Sequence, residues 1–344
     1  MPRAIFLMAW NPRQGPIIVG QYPSSVELDK DKLIDLFGLA LRQGDAAHFS
    51  EIELRGEKVI LYFTGMETRM NFGAIIEDGE NLDSLRGAMV RAVADLIVRG
   101  IMPSSEDEWK DLFERIRVYQ EIPLEEKVGE LFSDSFLRRV YDSLLELGIS
   151  RKDFVLQRLG ILQGSREEDI LRAYIEILNS LGIFNTYYDE ESMREYLFLM
   201  RDVVILRRKP KLYELIAKKI DGYKQEYSSF VQEYLENKKW LEEQETLASI
   251  FASPRLYSAL KELREKGLIK IEDIPEELKS AMDVLEAYDI CRSVDDLCYL
   301  LTDVAIVLMF PKYSIHKCLE QYSSGVLALK EVEAYLNAVK KSYQ

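Results

Sequence analysis

The chain has few of the residues from which catalytic sites are built. Its 344 residues include two histidines, His48 and His316, and three cysteines, Cys291, Cys298 and Cys318. Neither histidine sits beside a Gly-x-Ser-x-Gly or similar nucleophile signature. Three cysteines clustered late in the chain make no disulfide framework, so a reducing, cytoplasmic setting is expected. A Cys3His zinc site from Cys291, Cys298, His316 and Cys318 is disfavoured. Its Cys-x6-Cys spacing puts the first pair about two helical turns apart, and buried thiols are the simpler expectation. There is no Walker A or dinucleotide glycine motif. No apolar run reaches the ~18 residues of a membrane span, and Met1-Pro2-Arg3 opens no signal peptide. Isolated glycines such as Gly73 and Gly79 suggest no phosphate loop. The expectation is therefore no catalytic residue, no cofactor, no metal and no enzyme.

Positive charge is also in deficit. Lys and Arg number 45 against 59 Asp and Glu, for a net charge of −14. That excess repels phosphate backbones and anionic membranes unless a local basic patch overcomes it. Two small patches exist, Arg207-Arg208-Lys209 and Lys218-Lys219, suited to a phosphate or an acidic partner, with a solvated face as the plainer reading. Acidic clusters at Glu106-Asp107-Glu108 and Asp189-Glu190-Glu191 fit helix starts, where they offset the helix dipole.

A hydrophobic share of 47% is enough for real cores, and the length suggests two or three domains. Residues 4–9 and 17–22 read as a hairpin around Asn11-Pro12-Arg13-Gln14-Gly15-Pro16. An amphipathic helix follows Asp29-Lys30-Asp31, with Leu33, Leu36, Phe37, Ala40 and Leu41 inward and Lys32, Asp35 and Arg42 outward. Strands at 49–54, 59–63 and 70–76 and a helix over 82–99 complete an order β-β-α-β-β-β-α. Beyond residue 104 the pattern reads as mostly helical: 105–118, 135–147, 166–181, 190–207, 254–266, 275–288, 293–309 and 327–341. Ile216, Ile220, Tyr223, Tyr227, Phe230, Tyr234 and Leu241 follow a heptad-like spacing, which predicts one long helix across 211–248 packed on protein, in the same chain or in a homo-oligomer.

The helical part repeats itself. EYLFLMRDVVILRRKPK (195–211) matches DLCYLLTDVAIVLMFPK (296–312) without a gap, sharing Leu199/Leu300, Asp202/Asp303, Val203/Val304, Ile205/Ile306 and Pro210/Pro311. Tyr141-Asp-Ser-Leu-Leu-Glu-Leu also matches Tyr257-Ser-Ala-Leu-Lys-Glu-Leu. Apolar residues at 297–308 fit a helix better than a strand. Tandem winged helix-turn-helix modules are the alternative, and a continuous basic face over 254–288 would favour DNA. The expected division is 1–103, 104–210, 211–248 and 249–344, in an α+β chain: a five-stranded antiparallel sheet with helices, then a duplicated helical region.

The element order of residues 4–100, together with Trp10-Asn-Pro-Arg-Gln-Gly-Pro16, resembles the longin family and the hairpin of archaeal longin-like and roadblock-like proteins. A roadblock domain begins with a helix, so the opening hairpin favours longin. The resemblance covers under a third of the chain. It implies a non-enzymatic adaptor that binds a small GTPase or a trafficking-type complex through sheet edges and the first helix. Expected partner-binding residues are Trp10, Arg13, Lys32, Asp35 and Arg42. The rival is a DNA-binding transcription regulator with tandem winged helices.

Overall fold

A computed structural model describes every residue except 1, 29–30, 32–33, 37, 39–48, 55, 65–69, 78–81, 100–101, 238–242 and 344. Strands β1 (Pro2–Asn11) and β2 (Gly15–Tyr22) form the opening hairpin. Gly15 takes φ 81° in the turn, a backbone conformation that a side chain would strain. The Asn11 side chain accepts from the backbone N–H of Arg13 at 2.9 Å and of Gln14 at 3.2 Å. With β3 (Phe49–Leu54), β4 (Glu57–Phe63) and β5 (Met70–Ile76), the hairpin completes an antiparallel sheet of order β2-β1-β5-β4-β3. The α+β class and the five-stranded antiparallel sheet are as expected. Ala4, Phe6 and Met8 join Val59, Leu61 and Ile75 in one core, while Ile5, Leu7, Ile60 and Tyr62 alternate with them and are buried as well. A sheet covered on both faces needs apolar residues at consecutive positions, which explains the dense runs in β1 and β4.

Helices α1 (Leu82–Arg99) and α2 (Glu106–Glu121) follow. A capping box between Ser105 and Glu108 starts α2. Its Trp109 lies flat against β2: a Cβ on Gly20 would come within 2.3 Å of the indole.

From residue 123 the same series of elements occurs twice. The first copy is α3 (Leu124–Ser133), α4 (Ser135–Leu147), β6 (Ile149–Arg151), α5 (Lys152–Leu159), α6 (Arg166–Ser180), β7 (Phe184–Asp189), β8 (Arg194–Leu199), β9 (Asp202–Arg208), α7 (Tyr213–Lys219) and α8 (Tyr223–Glu236). The second is α9 (Gln244–Ala252), α10 (Pro254–Lys266), β10 (Leu268–Lys270), a 3-10 turn at Ile271–Asp273, α11 (Glu276–Ala287), β11 (Cys291–Val294), β12 (Leu297–Leu300), β13 (Asp303–Met309), α12 (Lys312–Ser323) and α13 (Leu329–Ser342). The small sheets have orders β6-β8-β7 and β10-β12-β11. Helix, strand, helix or turn, helix and two strands, with the first strand beside the third, is winged helix-turn-helix topology.

Several expectations need correction. Asp189-Glu190-Glu191 starts no helix but ends β7 and enters the turn to β8. The helices placed over 190–207 and 293–309 are strands β8–β9 and β12–β13. Tyr196 to Leu199 and Cys298 to Leu301 are buried one after another, so the alternation that marks a strand is missing. Among the described residues, outside which Leu241 lies, the single helix over 211–248 is three, α7, α8 and α9, with α7 ending at Lys219 before Gly222 takes φ 79°. Its heptad-like spacing has another cause: Tyr213, Ile216, Ile220 and Tyr223 are buried in one core, against which Tyr227 and Phe230 pack. The match of Tyr141 with Tyr257 is one helical turn out of register. Gly148 and Gly267 follow the two helices, both at positive φ, so Val140, Tyr141 and Leu144 correspond to Ala259, Leu260 and Leu263.

The duplication extends to single hydrogen bonds. Leu199 N–H donates to Gly148 O at 2.8 Å and Leu300 N–H to Gly267 O at 2.9 Å. Met200 N–H to Ile183 O and Leu301 N–H to Ile290 O, each at 2.8 Å, repeat the pattern.

Two compact units result: residues 1–122, 139–201 and 311–344, and residues 123–138 with 202–310. Each winged helix therefore shares its unit with the last two helices of the other repeat. In the first unit Tyr335 Oη donates to Leu199 O at 3.4 Å, and in the second Tyr223 Oη donates to the equivalent Leu300 O at 2.9 Å. Within the second unit β9 pairs antiparallel with β13, and Ile205 lies opposite its own counterpart, Ile306. A local twofold axis passes between them. The outward backbone edges are capped by equivalent residues: Ile205 N–H donates to Gln244 Oε1 at 3.0 Å, and Ile306 N–H to Glu125 Oε1 at 3.4 Å. Helices α3 and α9, which carry these caps, cross at Gly129, where a Cβ would meet Phe251 at 2.6 Å.

Candidate functional site

The expected partner-binding residues fall into two groups. Trp10 is 52% exposed beside the hairpin turn, opposite Pro16, and Arg13 is exposed on the turn itself. Asp35 is exposed on a separate segment, with Leu36 buried as expected. Lys32 and Arg42 lie outside the described residues, as does His48. The three cysteines are buried free thiols, and burial pushes Cys318 up to about 11. Among the described residues no group of three His, Cys, Asp or Glu side chains is placed to hold a metal, and no helix is long and apolar enough to cross a membrane.

The helix that precedes the two wing strands is packed differently in the two repeats. In the first unit α6 packs along α1. The contact is close: a Cβ on Gly87 would lie 2.7 Å from Ser180 Oγ. Leu171, Tyr174, Ile175 and Leu178 are buried on α6, and so are Asp169, Ala173 and Ile177. Too many positions are buried for a helix that faces one core only. Tyr62, on the N-terminal sheet, is raised by burial and then by the Glu176 carboxylate of α6. Helix α6 is therefore covered by the N-terminal helix α1 as well as by its own repeat.

At the start of α6 lies a buried group of four charges. Lys152 Nζ is 2.9 Å from Glu195 and 3.5 Å from Glu168, and Arg172 Nη2 is 2.9 Å from Glu168. The Gly164 N–H donates to Glu168 at 2.7 Å. Burial would raise the Glu168 carboxyl, but the Gly164 N–H and Arg172 outweigh it and hold it below its ordinary value. The group floors a cleft of about 380 Å³ rimmed by Leu156, Gln163, Tyr188, Met193 and Arg194. The four charges cancel in pairs, and no Ser, His or Cys lines the cleft to form a nucleophile–base pair. Within this group Glu168 and Arg172 stand one helical turn apart on α6. Lys152 and Glu195 arrive from other elements.

On the second repeat, among the described residues, the corresponding face is exposed and acidic. Glu276, Glu277 and Asp283 project from α11, Lys279 is tied to Glu276, and the wing ends in exposed Asp295 and Asp296. On α10, Lys261 pairs with Glu126 and Lys266 with Glu262. The residues between 254 and 288 thus carry interleaved charge of both signs.

The chain matches no family model, no curated protein and no solved structure, so its own geometry carries the functional reading.

Proposed function

We propose that the chain is a non-enzymatic adaptor. Its longin-like N-terminal domain binds a small GTPase or a trafficking-type complex, and its two winged-helix repeats serve protein contacts in place of DNA reading. One observation carries this most: α6 is buried on α1. A DNA-reading helix-turn-helix puts its recognition helix into the major groove, and a helix covered on both sides has no face to give. The acidic α11 and the net charge of −14 favour the same reading, because both repel a polyanion. The five-stranded antiparallel sheet with its opening hairpin supports the longin-like reading, and exposed Trp10 and Arg13 suit an interface.

The test is binding of the full chain to a panel of small GTPases loaded with GDP or GTP, with labelled duplex DNA alongside. Trp10→Ala and Arg13→Glu should each weaken GTPase binding by more than about 1 kcal/mol if central to the contact, with circular dichroism unchanged. DNA binding without GTPase binding would install the transcription-regulator rival instead.

A further inference from the structure

One surface of the second unit runs against the charge of the whole chain. Arg208 at the end of β9, Lys209 and Lys211 in the connection, and Lys218 and Lys219 on α7 are all exposed. Exposed cations elsewhere are commonly tied to carboxylates, as in Lys279–Glu276, Arg158–Glu146 and Lys266–Glu262. Here Arg208 is paired with Asp303 and Lys209 stands 3.9 Å from Glu214. Lys211, Lys218 and Lys219 make no ion pair among the described residues. Leu215, 40% exposed, lies three and four residues before Lys218 and Lys219 and so shares their side of the helix.

The second repeat acts as an internal control. Pro210-Lys211 leads into α7 as Pro311-Lys312 leads into α12, which places His316, Leu319 and Glu320 at the positions of Leu215, Lys218 and Lys219. The fold therefore asks for no lysine there. Of these two equivalent helices only α7 sets an exposed lysine pair beside an exposed leucine, and exposed lysines outside a close ion pair are available to an incoming negative charge.

We propose that this face of α7 docks an acidic segment of a partner polypeptide, with an apolar residue of that segment covering Leu215. A polypeptide fits better than the other polyanions. Single-stranded nucleic acid is gripped by stacking on exposed aromatics, and the nearby Tyr213 and Tyr223 are buried. A membrane-surface helix needs a broad apolar face, whereas α7 spans 7 residues and offers a single exposed leucine. The docking face does not depend on what the N-terminal domain binds.

The experiment is fluorescence anisotropy of the full chain with a labelled peptide of Glu-Glu-Leu repeats. Lys218→Glu/Lys219→Glu should weaken binding by about tenfold, and Leu215→Ser by about threefold. Lys340→Glu/Lys341→Glu changes an exposed lysine pair on α13 and shifts the net charge equally, yet should leave binding within about twofold. Circular dichroism confirms that each variant is folded. Three results would overturn the proposal: no binding of the peptide, equal loss in both lysine pairs, or a preference for a labelled oligonucleotide or phosphatidylserine vesicles through Lys218 and Lys219.

Discussion

Replacing Lys152 with methionine should destabilise the first unit by about 3–5 kcal/mol at neutral pH, the usual cost of breaking a buried ion pair from one side. The side chain is 8% exposed, and its partners Glu168 and Glu195 are 5% and 14% exposed. Removing the ammonium leaves two buried carboxylates facing the single guanidinium of Arg172. In the wild type Glu168 titrates below its ordinary value, so its stabilisation is present above the unfolded-state pKa of about 4.3 and lost as pH falls through the lower folded one. In the variant the sign reverses. A carboxylate left without its cation is raised above its unfolded value, so the penalty is full at neutral pH and shrinks toward about pH 4. The second repeat carries Ile271 at the equivalent place, so the fold itself does not require the ammonium. Lys152→Met combined with Glu195→Gln should therefore recover at least about 1 kcal/mol. Thermal unfolding followed by circular dichroism reads all of this. At about 2–4 °C per kcal/mol for a unit of this size, the single variant should melt about 10 °C early at pH 7. A loss under about 3 °C, or a deficit that stays constant on acidification, would refute the reasoning.

Gly20→Ala should cost about 1–3 kcal/mol, because its methyl group collides with the Trp109 indole, and a red shift in tryptophan emission should accompany the lower melting temperature. Tyr223→Phe and Tyr335→Phe each remove a buried hydroxyl's bond to the same carbonyl of the wing strand, in different repeats, so each should cost about 1 kcal/mol in denaturant unfolding. If both are silent, the two bonds do not hold the helices in place. Lys330 and Ser192 hold the Asp189 carboxyl at about 2, so its contribution to stability is present above the unfolded value of about 3.9 and lost as pH falls toward 2. Lys330→Ala should return its NMR titration toward the ordinary carboxylate range, and an unmoved midpoint would assign the shift to Ser192 alone.

Much of the architecture follows from local pattern. Alternation and dense apolar runs identify all five strands of the N-terminal sheet, and Ser105 with Glu108 marks the start of α2. The gapless match of 195–211 with 296–312 identifies β9 and β13 as equivalents, although periodicity assigned both the wrong structure. That error is physical. In β8 and β12 residues are buried in succession and lose the alternation that marks a strand, so the apolar runs that continue into β9 and β13 read as helical until their pairing partners are known. Helical residues three apart share a face, so the sequence match of Tyr141 with Tyr257 could not fix the register that Gly148 and Gly267 impose.

What tertiary structure alone decides is which copy each element serves. Helices α7 and α8 carry apolar residues at helical spacing, as α12 and α13 do, and nothing local says that each pair completes the other repeat's unit. Burial makes that choice, since an apolar face settles wherever a complementary core is open. The candidate surfaces follow the same rule. The sequence by itself fixed the shortage of histidine and cysteine, the net charge of −14 and the lysines around Leu215. That α6 is covered while α11 is exposed, and that Lys152 meets Glu168 and Glu195, depends on contacts between residues far apart in the chain, which no short-range pattern encodes.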